Sequence, residues 1–216
     1  MHKHADFDNL WVADNPVIDH RLSEIRAINT DKRVFRQNVK YIAQMMAYSV
    51  TQDLPRATQS VETPLERFDA PVLKNEFPVI VPILRAGLAM ADGLEDVLPE
   101  ASVAHIGMYR DHDTLEAVEY LNKLPDLAGR DVLLVDPMLA TGHSAALALD
   151  MIKAKGADMA RVKFVVLVAA PEGVTLLKDK YPALKIYTAA LDSHLNENAY
   201  IVPGLGDAGD RSFGTE

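Results

Sequence analysis

The sequence predicts an α/β fold: a parallel sheet covered by helices on both faces, with a helical, arm-like extension before it and a glycine-rich tail after it. Three observations carry this. From Val79 onward, short β-branched runs alternate with helical stretches, and that alternation implies right-handed crossovers between parallel strands. The longest apolar run, Phe164 to Ala170 (FVVLVAA), suits a strand buried on both faces and is far too short to span a bilayer. The 216 residues, 49% hydrophobic and 25% charged, suffice for a self-sufficient core.

The elements follow in order. The N-terminus, MHKHADFDNLWVADNP, is mixed polar and acidic, and its single Trp11 reads as a packing anchor. Thr30-Asp31 is an N-cap for a helix in which Phe35, Val39, Ile42 and Met46 recur on one face. That stripe is a core face or a face turned toward a second subunit. Thr51 to Pro78 carries four prolines and several charges, and reads as turns and short strands, an arm leaving the main body. Val79 to Ile83 is a strand, Ala86 to Val97 a helix, and Val103 to Met108 a second strand. Arg110 to Leu127 is polar and patternless, a long loop; its Asp111, Asp113, Glu116 and Glu119 read as a solvated face. Val132 to Val135 is a third strand, followed by a helix from His143 to Lys155 that Gly156 stops. Val162 to Ala169 is a fourth strand, Pro171-Glu172 opens a short helix, and Lys185 to Ala190 is a fifth strand. The tail from Asn196 has no regular period. One domain over 1–216 results, with the extension at 1–77, the α/β core at 78–195 and the tail at 196–216.

Composition narrows the function classes. There is no cysteine, hence no disulfide, no thiolate metal site and no thiol nucleophile. Thirty-one acids against 22 bases give a formal charge of -9, which disfavours attraction to nucleic acid or an anionic membrane. A local basic pocket for an anionic substrate stays open. The N-terminus has no apolar targeting segment, so a cytoplasmic protein is expected. His2 and His4 sit in the terminus, His112 and His194 in polar segments without H-E-x-x-H spacing, and no metal site built by protein ligands alone is expected.

Ligands of open parallel sheets lie beyond the carboxyl ends of the strands, here after Ile83, Met108, Val135 and Ala169. The strongest feature there is VLLVDPMLATGHSA, Val132 to Ala145. A buried strand ends in Asp136. The turn Pro137-Met138-Leu139-Ala140-Thr141-Gly142-His143-Ser144 then feeds a helix whose free N–H groups can seat a phosphate. Asp136 is too close to that seat unless it serves something else, such as ribose hydroxyls or a magnesium complex. An Asp-Pro turn with a helix cap explains the same residues without function. Arg85 and Arg110 also fall at strand ends, and paired guanidinium groups suit a diphosphate; ion pairs to surface acids would account for them equally well. No G-x-x-x-x-G-K-[ST] loop occurs. Gly204-Leu205-Gly206-Asp207-Ala208-Gly209 matches G-x-G-x-x-G but lacks the strand–turn–helix context of a dinucleotide site, so its glycines more simply let tail backbone approach a ligand.

Five segments together resemble the uracil phosphoribosyltransferase family: VPILRAGL from Val81, HIGMYRDHDTLE from His105, VDPMLATGHS from Val135, VLVAAPEG from Val166 and YIVPGLGDAGDRSFGTE from Tyr200. They run in order from Pro78 to the C-terminus. The resemblance implies a type I phosphoribosyltransferase core with a C-terminal hood. It implies transfer of a phosphoribosyl group from 5-phosphoribosyl 1-diphosphate (PRPP) to uracil, giving UMP and diphosphate in pyrimidine salvage, with Mg2+ held mainly through PRPP. By the same resemblance Asp136 to Ser144 hold the phosphoribosyl group, with Asp136 on the ribose hydroxyls. Arg85 and Arg110 hold the diphosphate. Ile201 and the Gly206-Asp207-Ala208 backbone meet uracil, and Asp207 also meets PRPP. Family members are usually homo-oligomers built from dimers, and GTP activates some of them.

Two departures stand out. The family has two glycines where this chain has Gly142-His143, and prolines in the loop where this chain has Ala117 and Glu119. Two other readings remain: transfer to a purine or orotate, and a non-catalytic nucleotide- or RNA-binding regulator of the same fold. The net charge and the absence of a basic stripe count against the second.

Overall fold

The computed structural model describes residues 1–110 and 117–215, with 109–110 and 117–119 described as backbone. Strands β1 (His2–Lys3) and β2 (Leu10–Val12) precede helices α1 (Pro16–Arg26) and α2 (Lys32–Thr51). A hairpin of β3 (Arg56–Glu62) and β4 (Arg67–Leu73) follows. Then come β5 (Val79–Leu84), α3 (Leu88–Val97), β6 (Ser102–Val103), β7 (Ile106–Arg110), β8 (Ala117–Asn122), β9 (Val132–Val135) and β10 (Met138–Leu139). The chain continues with α4 (His143–Ala154), β11 (Val162–Ala169), α5 (Pro171–Lys180) and β12 (Lys185–Leu191). It closes with β13 (His194–Leu195), β14 (Ile201–Val202) and α6 (Ala208–Phe213).

The main sheet runs β1-β2-β12-β11-β9-β5-β7-β8, with β6 on β5 and β10 on β11. Its interior pairings are parallel; β1 and β8 pair antiparallel at the two edges. Alternate residues feed two cores. Val79, Val81 and Ile83 of β5 and Phe164 and Val166 of β11 pack with α4 and α5. Ile80, Val165 and Leu167 face α1, α2 and α3 on the other side. β5 and β9 are neighbours, yet the chain leaves β5 toward β7 and β9 toward β11. A crevice therefore opens between the carboxyl ends of β5 and β9, the place where open α/β sheets bind ligands.

The N-terminal half is more ordered than its sequence suggests. Asn15 caps α1 by accepting from Val17 N–H at 2.9 Å, with Pro16 in the first turn. Asp31 caps α2 by accepting from Val34 N–H at 2.9 Å. Phe35, Val39, Ile42 and Met46 are all at most 1% exposed, so the stripe is core and is not available to a second subunit. β2 adds parallel to β12 through Leu10 to Val12, and Trp11 stacks on Tyr187 with ring centroids 5.3 Å apart. The proline-rich arm is the β3–β4 hairpin, largely exposed and carrying Val61, Leu65 and Phe68 on its surface.

Three expectations need correction. The strand expected from Val103 to Met108 is two strands, β6 and β7, both paired to β5 and interrupted at Ala104 and His105. The segment from Arg110 to Leu127 is not one loop: 117–122 form β8, which returns antiparallel along β7. A register shift between Gly107 and Met108 breaks the period-two pattern there, which hid the strand from the sequence. Asp111, His112, Asp113 and Glu116 lie outside the described residues. The tail is not irregular throughout: β13 and β14 make a short antiparallel pair, and Asp207 starts α6. That pair begins at His194, before the expected boundary at Asn196. No helix among the described residues is long and apolar enough to cross a membrane.

Candidate active site

β9 carries Asp136 to the carboxyl edge, where its N–H donates to Val165 O at 3.2 Å. Its carboxylate is partly buried at the floor of a cavity and accepts from the Met138 N–H. Burial pushes its pKa up to about 7, helped by the nearby Asp207 carboxylate and opposed by the Met138 bond. The following turn is pinned rather than loose. Pro137 O accepts from Leu167 and Val168 N–H at 3.0 and 3.1 Å, and Met138 and Leu139 pair with β11 as β10.

The turn enters α4 through Gly142, whose φ of 86° is left-handed, a conformation that L side chains resist. Gly142 offers no side-chain cap, so the N–H groups of the first turn of α4 stay available to an anion. A small cavity of about 180 Å³ lies here, lined by Asp136, Ala140, Thr141, Gly142, Ser144 and Ala145 among others. From α5, Gly173 backs the turn; a Cβ there would sit 2.3 Å from Ala140 O. His143 is exposed, with Nδ1 3.0 Å from the Thr141 hydroxyl.

A larger cavity of about 450 Å³ adjoins it and shares Asp136, Met138 and Ser144. Arg85 enters from the end of β5, and its peptide with Leu84 is cis. Its guanidinium is exposed, 3.6 Å from Asp210 Oδ1 and 5.6 Å from the centre of the Phe213 ring. Asp207 and Gly209 enter from the hood. Asp207 accepts from Asp210 N–H at 3.0 Å and so caps α6. Met108 and Tyr120 close the opposite wall from β7 and β8. Arg110 ends β7, the neighbour of β5, so its backbone reaches the same edge of the sheet.

Most of the predicted phosphoribosyl residues and Arg85 thus meet at one crevice; Pro137, buried in the turn, and the exposed His143 line neither cavity. The predicted uracil residues are split. Asp207 lines the cavity, whereas Ile201 and Ala208 bury their side chains in the core and Gly206 is exposed with φ of 74°. Any service of Ile201 and Ala208 to a base falls to their backbone. Sequence reasoning missed Tyr120, hidden in the segment taken for loop, and Asp210. It also missed the brace under the hood. Arg26 grips both Asp192 carboxylate oxygens at 2.6 and 2.8 Å, and Asp192 also accepts from Gly204 N–H at 2.9 Å.

A parallel sheet with an anion-ready helix start after one central strand and a guanidinium after its neighbour defines the class: a type I phosphoribosyltransferase. The sequence profile described as uracil phosphoribosyltransferase matches residues 12–215. The uracil phosphoribosyltransferase of Rhodospirillum centenum is 55% identical over 216 residues, all of both chains. The chain therefore belongs to the uracil phosphoribosyltransferase family. Among solved structures, the AQ2163 protein from Aquifex aeolicus superposes with a TM-score of 0.90 at 35% identity, covering 96% of this chain and 99% of that one. APRTase from Giardia lamblia, complexed with 9-deazaadenine, shares the fold at a TM-score of 0.52 and 13% identity, over 72% of this chain and 80% of that one.

Proposed function

We propose that the chain transfers the 5-phosphoribosyl group of PRPP to uracil, giving UMP and diphosphate. The observation that carries this reading is the joined pair of cavities. One offers uncapped amides for a phosphate monoester, the other Arg85 for a diphosphate, and Asp136 lies between them for the ribose hydroxyls. In the reaction the bond from ribose C1 to the diphosphate oxygen breaks, C1 bonds to N1 of uracil, and the N1 proton leaves to solvent. Positive charge builds on the sugar while negative charge grows on the leaving group. Arg85, with Arg110 beside it on the edge, serves the transition state more than the ground state, because the charge it meets is larger there. Backbone groups of Ile201 and Gly206 to Ala208 would read the edge of uracil. Cytosine, with donor and acceptor exchanged, would leave buried groups unpaired.

Magnesium is the expected companion of PRPP. Among the described residues no three His, Asp or Glu side chains converge to hold a metal alone. Asp136 and Asp207 do face one cavity, and their mutual repulsion is what a cation would relieve. The residues fit a magnesium ion carried mainly by diphosphate oxygens, with these two carboxylates at hand. Bound so, it would neutralise charge on the leaving group. The exposed hairpin with Val61, Leu65 and Phe68 supports a homo-oligomer. GTP is the effector to try, since some family members respond to it.

The test is formation of labelled UMP from labelled uracil. Product that depends on both PRPP and magnesium is expected. Preferred turnover of guanine or orotate in a competition assay would overturn the choice of base.

A further inference from the structure

Arg85 has one ion pair among the described residues, and its partner, Asp210, is not among the residues expected to hold either substrate. The pair is loose: 3.6 Å apart, with the Arg85 side chain 54% exposed and that of Asp210 26%. The guanidinium also rests 5.6 Å from the centre of the Phe213 ring, on whose surface Arg36 sits at 5.5 Å. Asp210 itself is fixed. Its N–H donates to Asp207, its carbonyl accepts from Gly214 N–H at 2.6 Å, and the Thr215 hydroxyl donates to its carboxylate. The next residue, Arg211, anchors α6 to the end of α1 through Ile25 O and Ala27 O, each at 2.6 Å. A fixed carboxylate thus faces the guanidinium of an arginine that lines the cavity.

We propose that Asp210 is a positioning residue that stands in for the diphosphate: it parks Arg85 on the hood helix when the cavity is empty and competes with diphosphate for the same guanidinium. This rests on the reading that the cavity takes a diphosphate. A carboxylate oxygen offers Arg85 the same kind of anionic acceptor that a phosphate oxygen does, here through the single oxygen Oδ1. An exposed pair at this distance is weak, which suits a contact that is exchanged in each turnover. The competition loosens PRPP in the ground state and eases departure of the product diphosphate.

Calorimetric titration of the full chain with inorganic diphosphate and magnesium tests this. Asp210→Asn is expected to tighten diphosphate about two- to five-fold, the span of an exposed ion pair, and to lower KM for PRPP without raising kcat. In an Arg85→Ala background the same substitution is expected to change nothing. Asp210→Glu keeps the carboxylate and is expected to bind diphosphate no more tightly than the parent chain, which guards against a misfolded Asp210→Asn. An unchanged or weaker affinity in Asp210→Asn overturns the proposal. So does an equal gain without Arg85, which would be the plain removal of a negative charge. A parent chain that binds no diphosphate overturns the proposed function, and this inference with it.

Discussion

Asp136 shows how far a single side chain can be understood from its neighbours in sequence. Its place at the end of a buried strand was legible in VLLVDP, and so was that of Arg85 after VIVPIL. The protonation of Asp136 was not, because it depends on burial by the whole fold and on Asp207 from the far end of the chain. The folded pKa of about 7 stands above the ordinary 3.8. Below pH 3.8 both folded and unfolded chains hold the proton, and this group favours neither. Between about 4 and 7 the unfolded chain releases it while the folded chain keeps it, so stability falls as pH rises and levels off above 7. Asp136→Asn removes that penalty. Its melting temperature is expected to exceed that of the parent by roughly 2 °C or more at pH 8, with little difference at pH 4, while activity is lost. Scanning calorimetry of the unliganded chain at both pH values checks this; an equal gain at both would assign the effect to packing. Arg85→Ala is expected to lower kcat/KM about 100-fold, the usual consequence of deleting one charge-stabilising donor. Arg85→Lys should recover only part of it, since an ammonium lacks the planar fork.

At the scale of elements, the sequence spoke clearly wherever a regular period ran its course. The stripe of α2, the strands β5, β9, β11 and β12, and α4 with its stop at Gly156 stand where their patterns put them. Strand β8 was missed because an extra residue, Tyr120, interrupts its own alternation opposite Gly107 and Met108, and β13 and β14 because two-residue strands carry no period at all. The turn before α4 shows the cost of such irregular pieces. Its left-handed residue was legible as a glycine, but not the reason it must remain one. A side chain at Gly142 would be held at φ 86° and would meet Gly173 O at 3.3 Å, so backbone strain of about 1–2 kcal/mol adds to a shift of the turn. Gly142→Ala is therefore expected to melt a few degrees lower. Because this turn frames the proposed phosphate seat, KM for PRPP should rise at least ten-fold while KM for uracil changes little. Steady-state kinetics with each substrate varied in turn measures both, and an equal rise in the two would mean that the damage is general.

For the whole molecule, the decisive relation is between the sheet and the hood, since the cavity needs walls from both. The sheet is secured by two cores packed on its two faces. The hood has little apolar area of its own: among its described residues Ile201, Leu205 and Ala208 are buried in the core, and charge adds to their hold. Asp192, 4% exposed in its side chain, follows β12 directly and receives both arms of Arg26 and the Gly204 N–H. Arg26 also donates to Gly204 O at 2.7 Å, so α1, the end of the sheet and the hood meet at one ion pair. No sequence pattern announces this, because the partners come from opposite ends of the chain and neither belongs to a motif. Breaking a buried pair by deleting one member strands the other charge, at about 3–5 kcal/mol. Asp192→Ala is therefore expected to lower the urea midpoint by about 1–2 M. Its effect on the site should be selective: the amide turn after β9 stays on the sheet, while Asp207 and the backbone proposed to face uracil lose their footing. At urea-free concentrations where the variant is folded, KM for uracil is expected to rise several-fold more than KM for PRPP, the reverse of Gly142→Ala. A variant that melts early yet keeps the parent's uracil KM would mean that the hood holds its shape without the brace.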